Sequence, residues 1–354
     1  MLFGSPKSLV GLDIGSGSIK MLQLKETKGT YKVERFGMKL LPPETIVDGT
    51  IMDSLEVVAT IKALTTEQKL THHNVALSIS GTSVIVKKIS LPSMSEAELE
   101  QQIRFEAEQH LPFDINDVYL DFHVLPEDES PTEGEPAMSV LLVASKKDKL
   151  NDYANAVREA GLTPKVVDID AFAVENMYCV NYETRPGELT ALVNVGASVM
   201  NINILRGGSS VFTRDCAIGG NRYTERLQQD LGLTYEDAEA AKKGQLGEVN
   251  AAAVHAAIEM VNGEVATEIE RSFDYFLTTA TYGELARIVL SGGCARLNSL
   301  PGRILAQLGL ETSVVNPFKA LDLSGLQMGA DELAEAAPEA AVVVGLALRR
   351  EDDR

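Results

Sequence analysis

The chain has 354 residues, 45% hydrophobic and 23% charged, with a formal net charge of −19. The length points to about two domains, and the composition to a globular protein with ample cores. The acidity excludes a nucleic-acid surface, which needs clustered Lys and Arg, and disfavours direct docking on anionic lipid.

The first informative stretch is Leu9 to Leu24. Leu9-Val10-Gly11-Leu12-Asp13-Ile14 is an apolar run that reads as a buried strand. Gly15, Ser16, Gly17 and Ser18 make a tight turn. Extended chain resumes with Ile19, Met21 and Leu24 apolar among polar neighbours. Small residues at such a turn let backbone N–H groups approach an anion closely. Asp13, at the strand end, is placed to face a metal or a water beside it. The same stretch also reads as a plain hairpin. A P-loop and a dinucleotide fingerprint are excluded, because each needs a helix after its glycines.

Tyr31 to Leu41 continues extended as far as Pro42-Pro43. Asp53 to Leu64 has helical spacing, with Leu55, Val58, Ala59, Lys62 and Ala63 able to share one side. Asn74 to Ser80 is a strand closed by Gly81. Val84 to Leu91 is another, ending in Pro92. Ser95 and Glu98 form a capping box for a helix running to His110, with Leu99, Ile103 and Ala107 as its apolar stripe. Val118 to Leu125 and Met138 to Ala144 read as strands. Between them Pro126 to Ala137 is acidic and Pro-rich, an exposed hairpin tip. Lys147 to Ala160 is a helix with Gly161 as its C′ residue. Residues 83–164 thus read as a compact insertion of one sheet and two helices. Val166 to Asp170 returns as a strand, Ala171 to Tyr182 as a helix, and Pro186-Gly187 marks a break.

The next stretch repeats the first. In LTALVNVGASVMNINIL, from Leu189 to Leu205, an apolar strand again ends in an Asx residue, Asn194. Gly196, Ala197 and Ser198 follow, then alternating Met200, Ile202 and Ile204. Asn194 stands to its glycine turn as Asp13 stands to the first, 181 residues on. Two like hairpins suggest two like-folded lobes presenting their tips to one cleft. Val211 to Ile218 extends the second sheet, and Gly219-Gly220 precedes a helix from about Arg222 to Leu231. Tyr235 to Lys243 is a short helix on which Glu239 and Lys242 share a face. That pair reads as a surface ion pair or as a ligand contact. Asn250 to Thr279 is a long helical stretch. Ile288-Val289-Leu290 is a buried strand, and Ser291-Gly292-Gly293-Cys294-Ala295 leads from it into a helix, an ordinary tight turn or a backbone approach to a flat ligand. Pro338 to Arg350 is apolar on most sides and must be buried. Cys179, Cys216 and Cys294 are scattered, without metal spacing, and fit a reducing compartment. With no signal-peptide core and no apolar run of the roughly 20 residues that span a bilayer, the chain is expected to be cytoplasmic without its own anchor.

Two glycine hairpins in separate lobes and a later Gly-Gly loop together resemble the actin-like ATPase superfamily. Ile218 to Lys242 (IGGNRYTERLQQDLGLTYEDAEAAK) and Ile103 to Phe122 (IRFEAEQHLPFDINDVYLDF) are similar to the FtsA and, more closely, the PilM families within it. The resemblance implies an α/β, two-lobed fold of duplicated ribonuclease-H-like lobes. Residues 1–82 with 165–187 would form the first lobe core, with 338–350 packing back on it. Residues 83–164 would be the family's inserted subdomain, 188–217 with 285–337 the second lobe core, and 218–284 its subdomain. The implied ligands are ATP and Mg²⁺. Asp13 would orient the metal or its waters. Gly15, Ser16, Gly17 and Ser18 would hold the β- and γ-phosphates, assisted by Lys20. Gly196, Ala197 and Ser198 would form the second clamp behind Asn194. Glu239 and Lys242 would meet the ribose, and Gly292, Gly293 and Ala295 would back the adenosine, with Gly219 and Gly220 nearby. Asp170 sits where superfamily chaperones place a water-directing carboxylate.

One departure stands out: the second hairpin of the superfamily normally opens with Asp. The neutral amide of Asn194 is no carboxylate base and weakens Mg²⁺ coordination, so ATP binding with slow or negligible turnover is expected. The PilM resemblance implies a partner, the N-terminal cytoplasmic tail of a PilN-type inner-membrane protein. It also leaves room for other pilus platform proteins, the motor ATPase and self-association. Val84 to Leu91 and Leu111 to Phe113 are the candidate groove wall. The alternative is a small-molecule phosphotransferase of the same fold, which needs a general base that only Asp13 or Asp170 could supply.

Overall fold

The computed structural model describes residues 9–125, 137–245, 247, 249–279, 282–351 and 353. The first lobe opens with a meander of β1 (Val10–Ile14), β2 (Ser18–Thr27) and β3 (Thr30–Leu40). A small hairpin, β4 (Ile46–Val47) and β5 (Thr50–Ile51), leads to α1 (Ser54–Glu67) and β6 (Asn74–Ile79). The inserted segment runs through β7 (Val84–Pro92), α2 (Glu96–Glu108), β8 (Val118–Val124), β9 (Ala137–Lys146) and α3 (Lys147–Glu159). The expected hairpin tip at 126–136 lies outside the described residues. The chain returns through β10 (Thr163–Ile169) and α4 (Asp170–Asn181). The second lobe contains β11 (Leu189–Val195), β12 (Met200–Arg206), β13 (Ser209–Cys216), α5 (Gly220–Leu231), α6 (Tyr235–Lys242) and α7 (Ala251–Thr279). It ends with β14 (Leu285–Ser291), a 3₁₀ turn at Gly293–Arg296, α8 (Leu300–Leu308), β15 (Glu311–Val314), α9 (Ala330–Ala336), a second 3₁₀ turn at Ala337–Ala340, and α10 (Ala341–Ala347).

The two main sheets repeat one design. The first is ordered β10-β6-β1-β2-β3 and the second β15-β14-β11-β12-β13. In each, a three-strand antiparallel meander is extended by two parallel strands on the far side of its first strand. The register repeats too: Asp13 lies opposite Lys20, and Asn194 opposite Asn201. The parallel strands are reached through crossover chain, as parallel pairing requires.

Helices α4 and α10 lie where the two lobes join. Their apolar residues share one cluster with Leu22 and Ala76 of the first sheet and with Leu192, Leu205 and Val289 of the second. All seven residues of α10 are buried, which explains why its sequence is apolar on most sides. Glycines permit the approach: a Cβ on Gly345 would lie 1.7 Å from the Ala173 carbonyl oxygen, and one on Gly11 2.4 Å from that of Val343.

The structure corrects three local readings. Helix α1 buries Val57, Val58, Thr60, Ile61 and Leu64, whereas Leu55 is 78% exposed. The expected side Leu55, Val58, Ala59, Lys62 and Ala63 is thus out of phase, because the helix packs its other flank on the sheet. Helix α3 does not belong to the insertion's own core. Tyr153, Ala156 and Val157 join the first lobe's cluster with Val10, Leu12 and Ile61. The insertion's core is instead built by α2 and the three-stranded sheet β7-β9-β8: Ile89, Leu91, Leu99, Ile103, Ala107, Val140 and Leu142. Third, Gly292-Gly293 enters a single 3₁₀ turn, and the α-helix begins only at Leu300. The Ser95–Glu98 capping box forms as read, both hydrogen bonds being present.

Candidate functional site

The two glycine turns close in the same way. Gly15 N–H donates to Ser18 O (3.1 Å), and Gly196 N–H to Val199 O (3.0 Å). Their tips face each other across the lobes. Ser16 Oγ and Ser198 Oγ are 2.7 Å apart, and a Cβ on Gly17 would stand 3.0 Å from that of Ala197. The small residues are therefore needed where the lobes meet.

Behind the first tip, Lys20 Nζ donates to Asp13 Oδ2 at 3.0 Å, both side chains being largely buried. Burial alone would lower the Lys20 ammonium, but the charges of Asp13 and Glu339 more than offset it and hold it above its ordinary value. The second hairpin carries a neutral copy of this pair: Asn194 Nδ2 donates to Asn201 Oδ1 at 3.0 Å. Asn194 Oδ1 accepts from the Ser291 hydroxyl (3.1 Å), and Asn201 Nδ2 donates to Asp215 Oδ1 (2.8 Å).

The second-lobe candidates also converge. Gly220 N–H donates to Gly196 O (2.9 Å) and Asn221 N–H to Ala197 O (2.8 Å), so the start of α5 is hydrogen-bonded onto the second tip. A Cβ on Gly219 would lie 2.6 Å from Gly196 O. Lys242 Nζ donates to Gly220 O (3.2 Å), to Thr224 Oγ1 (2.9 Å) and to the Glu239 carboxylate, which also accepts from the Thr224 hydroxyl. Burial pushes Glu239 upward, but Lys242 and these hydrogen bonds prevail and hold it below the usual carboxylate range. Gly292 has a left-handed φ of 85°, and a Cβ there would meet Val195 O at 2.4 Å. Gly293 faces Glu339, itself paired with Arg296 at 3.1 Å. Ala295 is buried in the second lobe's core and offers only its backbone. Burial pushes the neighbouring Cys294 thiol up to about 12, so it is inert as a nucleophile.

Asp170 opens α4 and accepts from the Ser78 hydroxyl at 2.6 Å. Burial, then the charge of Asp13, pushes its carboxyl up to about 6. Between the ordinary value of 3.8 and about 6, the folded protein keeps a proton that the unfolded chain has released. Asp170 therefore lowers stability as pH rises through that window, by up to about 1.4 kcal/mol per pH unit. Glu175, pushed up to about 7 chiefly by burial, acts in the same sense at higher pH. Asp170→Asn is expected to flatten the acid part of this decline. Urea midpoints measured from pH 4 to pH 8 for variant and parent check it, and parallel curves would refute it.

Of the candidate groove wall, Ile89 and Leu91 are core residues of the insertion and are not free to line a groove, while Leu111 packs against that core and stays half-exposed. Val84 to Val86 remain half-exposed. Sequence reasoning missed Asn201, Thr224, Asp215 and Glu339. Asn201 was findable as the counterpart of Lys20 at the repeat spacing. Thr224, Asp215 and Glu339 carried no local signal, because they reach the site from separate elements. Among the described residues, no group of three or more His, Cys, Asp or Glu could cage a metal, and no helix is long and apolar enough to cross a membrane.

Comparison with known proteins places this architecture. A chain of the PilM–PilN type IV pilus biogenesis complex superposes with a TM-score of 0.86 over 99% of this chain and 100% of that one, at 26% identity. The ethanolamine utilization protein EutJ from Carboxydothermus hydrogenoformans matches with a TM-score of 0.59, 15% identity and coverages of 98% and 90%. MreB5 of Spiroplasma citri, bound to AMPPNP, gives 0.50, 11%, 97% and 95%. The fold is thus the actin-like ATPase fold. Cell division protein FtsA of Escherichia coli K12 is 23% identical over 254 residues, 67% of this chain but only 60% of FtsA. The family model described as type IV pilus assembly protein PilM matches residues 11–351. The chain belongs to the PilM family of type IV pilus assembly proteins.

Proposed function

We propose that this protein holds ATP between its lobes and, in that form, binds the extended N-terminal tail of a PilN-type inner-membrane protein as part of the pilus assembly platform. The observation that carries the reading is the meeting of two equivalent glycine tips, with the Gly219-Gly220, Glu239–Lys242 and Gly292-Gly293 groups gathered behind the second. The residues fit a nucleotide. Gly219, Gly220 and Gly292 let their segments pack directly against the second tip, and Thr224, Glu239 and Lys242 offer hydroxyl, carboxylate and ammonium groups suited to a ribose. Asp13 fits Mg²⁺, an ion commonly held by one or two carboxylates together with phosphates rather than by an all-protein cage.

Slow turnover follows from the residues themselves. The second hairpin presents an amide where a carboxylate would be needed as base, and Asp13 is engaged by Lys20. A phosphotransferase would also need a base aimed at an acceptor. Incubation of the purified protein with radiolabelled ATP and Mg²⁺ is expected to give retained ATP with little phosphate release. Rapid phosphorylation of a sugar or carboxylate acceptor would replace this reading with the phosphotransferase one. Lys242→Ala is expected to weaken ATP binding about tenfold or more, the scale of a lost charge-assisted hydrogen bond. Calorimetric titration checks it, and unchanged affinity would remove the ribose role. A synthetic peptide of the partner's N-terminal tail, titrated onto the same protein, tests the second half.

A further inference from the structure

The duplication gives this protein two joints between helix and sheet. Helix α10 packs on β1 and β2 of the first sheet, and α4 packs on β11 and β12 of the second. The two sheets correspond closely at these faces. Each has a bulge at the same place, between Gln23 and Leu24 in β2 and between Ile204 and Leu205 in β12. The repeat spacing puts Asn203 where the first sheet has Leu22. At the bulge, Leu24 pairs with Val33 and Leu205 with Ser210, so Ser210 stands where the first sheet has Val33. Leu22 and Val33 are fully buried and share one apolar cluster with α10.

The second joint is polar at the same positions. Asn203 and Ser210, both buried, meet the Glu175 side chain of α4. Asn203 Nδ2 donates to Glu175 Oε2 at 3.2 Å and to Ala171 O at 3.0 Å. The Ser210 N–H donates to Glu175 Oε1 at 3.3 Å, and the Ser210 hydroxyl to Asn203 Oδ1 at 2.7 Å. The two bonds to the carboxylate are longer than the roughly 2.7–2.9 Å of strong charge-assisted ones, so they do not offset the cost of burying its charge. Burial therefore pushes the Glu175 carboxyl up from 4.5 to about 7. Of the charged groups around it, Asp168 of β10 raises it further, and Arg349, just beyond α10, opposes this. Asp168 is itself paired with Arg349 at 3.1 Å. The Cys179 thiol, one turn along α4, is pushed up to about 11, chiefly by burial, and stays neutral.

We propose that this second joint is a proton-gated hinge: with a proton on Glu175 the second sheet stays clamped on α4, and once that proton leaves the sheet is free to shift there, while the first joint stays fixed. Linkage sets the direction. In the clamped joint Glu175 holds its proton up to about pH 7, whereas once water reaches it the proton is held only up to the ordinary 4.5. Opening therefore becomes easier as pH rises between those values, by up to about tenfold per pH unit, and levels off above them. Leu22 and Val33 carry no proton to lose, so the first joint has no such response. The hinge needs neither a nucleotide nor a partner.

Hydrogen exchange of the full-length protein from pH 5 to pH 8 tests this, read as protection factors so that the intrinsic pH dependence of exchange is removed. Protection over 203–210 is expected to fall on the order of ten- to a hundredfold across that range, relative to protection over 22–33. An equal fall in both segments would mean global unfolding alone and would overturn the proposal. Glu175→Gln, neutral at every pH, is expected to abolish the difference between the segments, and a difference equal to the parent's would overturn the proposal as well. Because Gln sets an amide NH₂ against one of the two donors, a second variant copies the first joint instead. Glu175→Leu/Asn203→Leu/Ser210→Val is expected to keep both segments equally protected at every pH. A pH-dependent loss still confined to 203–210 in that variant would remove Glu175 as the gate.

Discussion

Gly345→Ala is expected to destabilise the protein by about 3 kcal/mol or more, at or beyond the upper end of the usual overpacking cost. The added methyl would lie 1.7 Å from the Ala173 carbonyl oxygen, 2.4 Å from its carbon and 2.9 Å from its Cα. All three are backbone atoms, so no rotamer change relieves the clash. Relief requires α10 to move away from α4. That movement meets resistance on α10's other side, where Gly11 of β1 already touches Val343, and it opens the cluster shared by both sheets. Against a typical total stability of about 5–15 kcal/mol, the loss is severe. Gly302→Ala in α8 is the control. It has nothing within 4 Å of the new methyl and is exposed, and it is expected to be neutral or to stabilise by up to about 1 kcal/mol through helix propensity. Urea unfolding of the two variants beside the parent decides the matter. Equal midpoints for Gly345→Ala and the parent would contradict the packing described.

Lys20→Met is expected to cost about 3–5 kcal/mol, the range for stranding one member of a buried ion pair. Asp13 and Lys20 side chains are only 11% and 10% exposed. Without the ammonium, the Asp13 carboxylate faces the charge of Asp170 without its hydrogen-bonded partner. The fold also supplies its own rescue. Asp13→Asn/Lys20→Asn copies the Asn194–Asn201 pair at the equivalent cross-strand positions and is expected to lose distinctly less than Lys20→Met alone. If the single and double variants unfold together at pH 8, the ion pair is not what holds the first hairpin.

The neutral pair in the second lobe gives the duplication a physical meaning. Both hairpins keep the same turn hydrogen bond and strand register, yet only the first keeps charge. Two opposed carboxylates at facing tips would repel each other and any phosphate between them. One amide in place of a carboxylate removes their mutual repulsion and leaves one carboxylate rather than two to repel a phosphate. The cost is a carboxylate in the second lobe that could order a metal or a water.

The hairpins were legible because their determinants are local. Gly15 to Ser18 and Gly196 to Ser198 dictate turns through their own backbone freedom, and alternation sets the strands on either side. The Ser95–Glu98 cap was legible for the same reason. Helix α1 was not, because its apolar residues fit two phases, one through Leu55 and Ala59 and one through Val57, Ile61 and Leu64. Only the surface it meets chooses between them. Nor could α3 be assigned, since an amphipathic stripe does not name its partner.

From the chain alone came the paired strand–turn–strand units, their spacing, the small residues at their tips and the exchange of Asp for Asn between them. Those features depend on contacts a few residues apart. Folding alone decided that Ser16 meets Ser198, that Thr224 joins Glu239 and Lys242, and that Gly81 reaches Asp215. The second of these joins neighbouring helices of one lobe; the first and third join residues far apart in the chain, and they exist only because helices α4 and α10, buried between the sheets, set where each lobe stands.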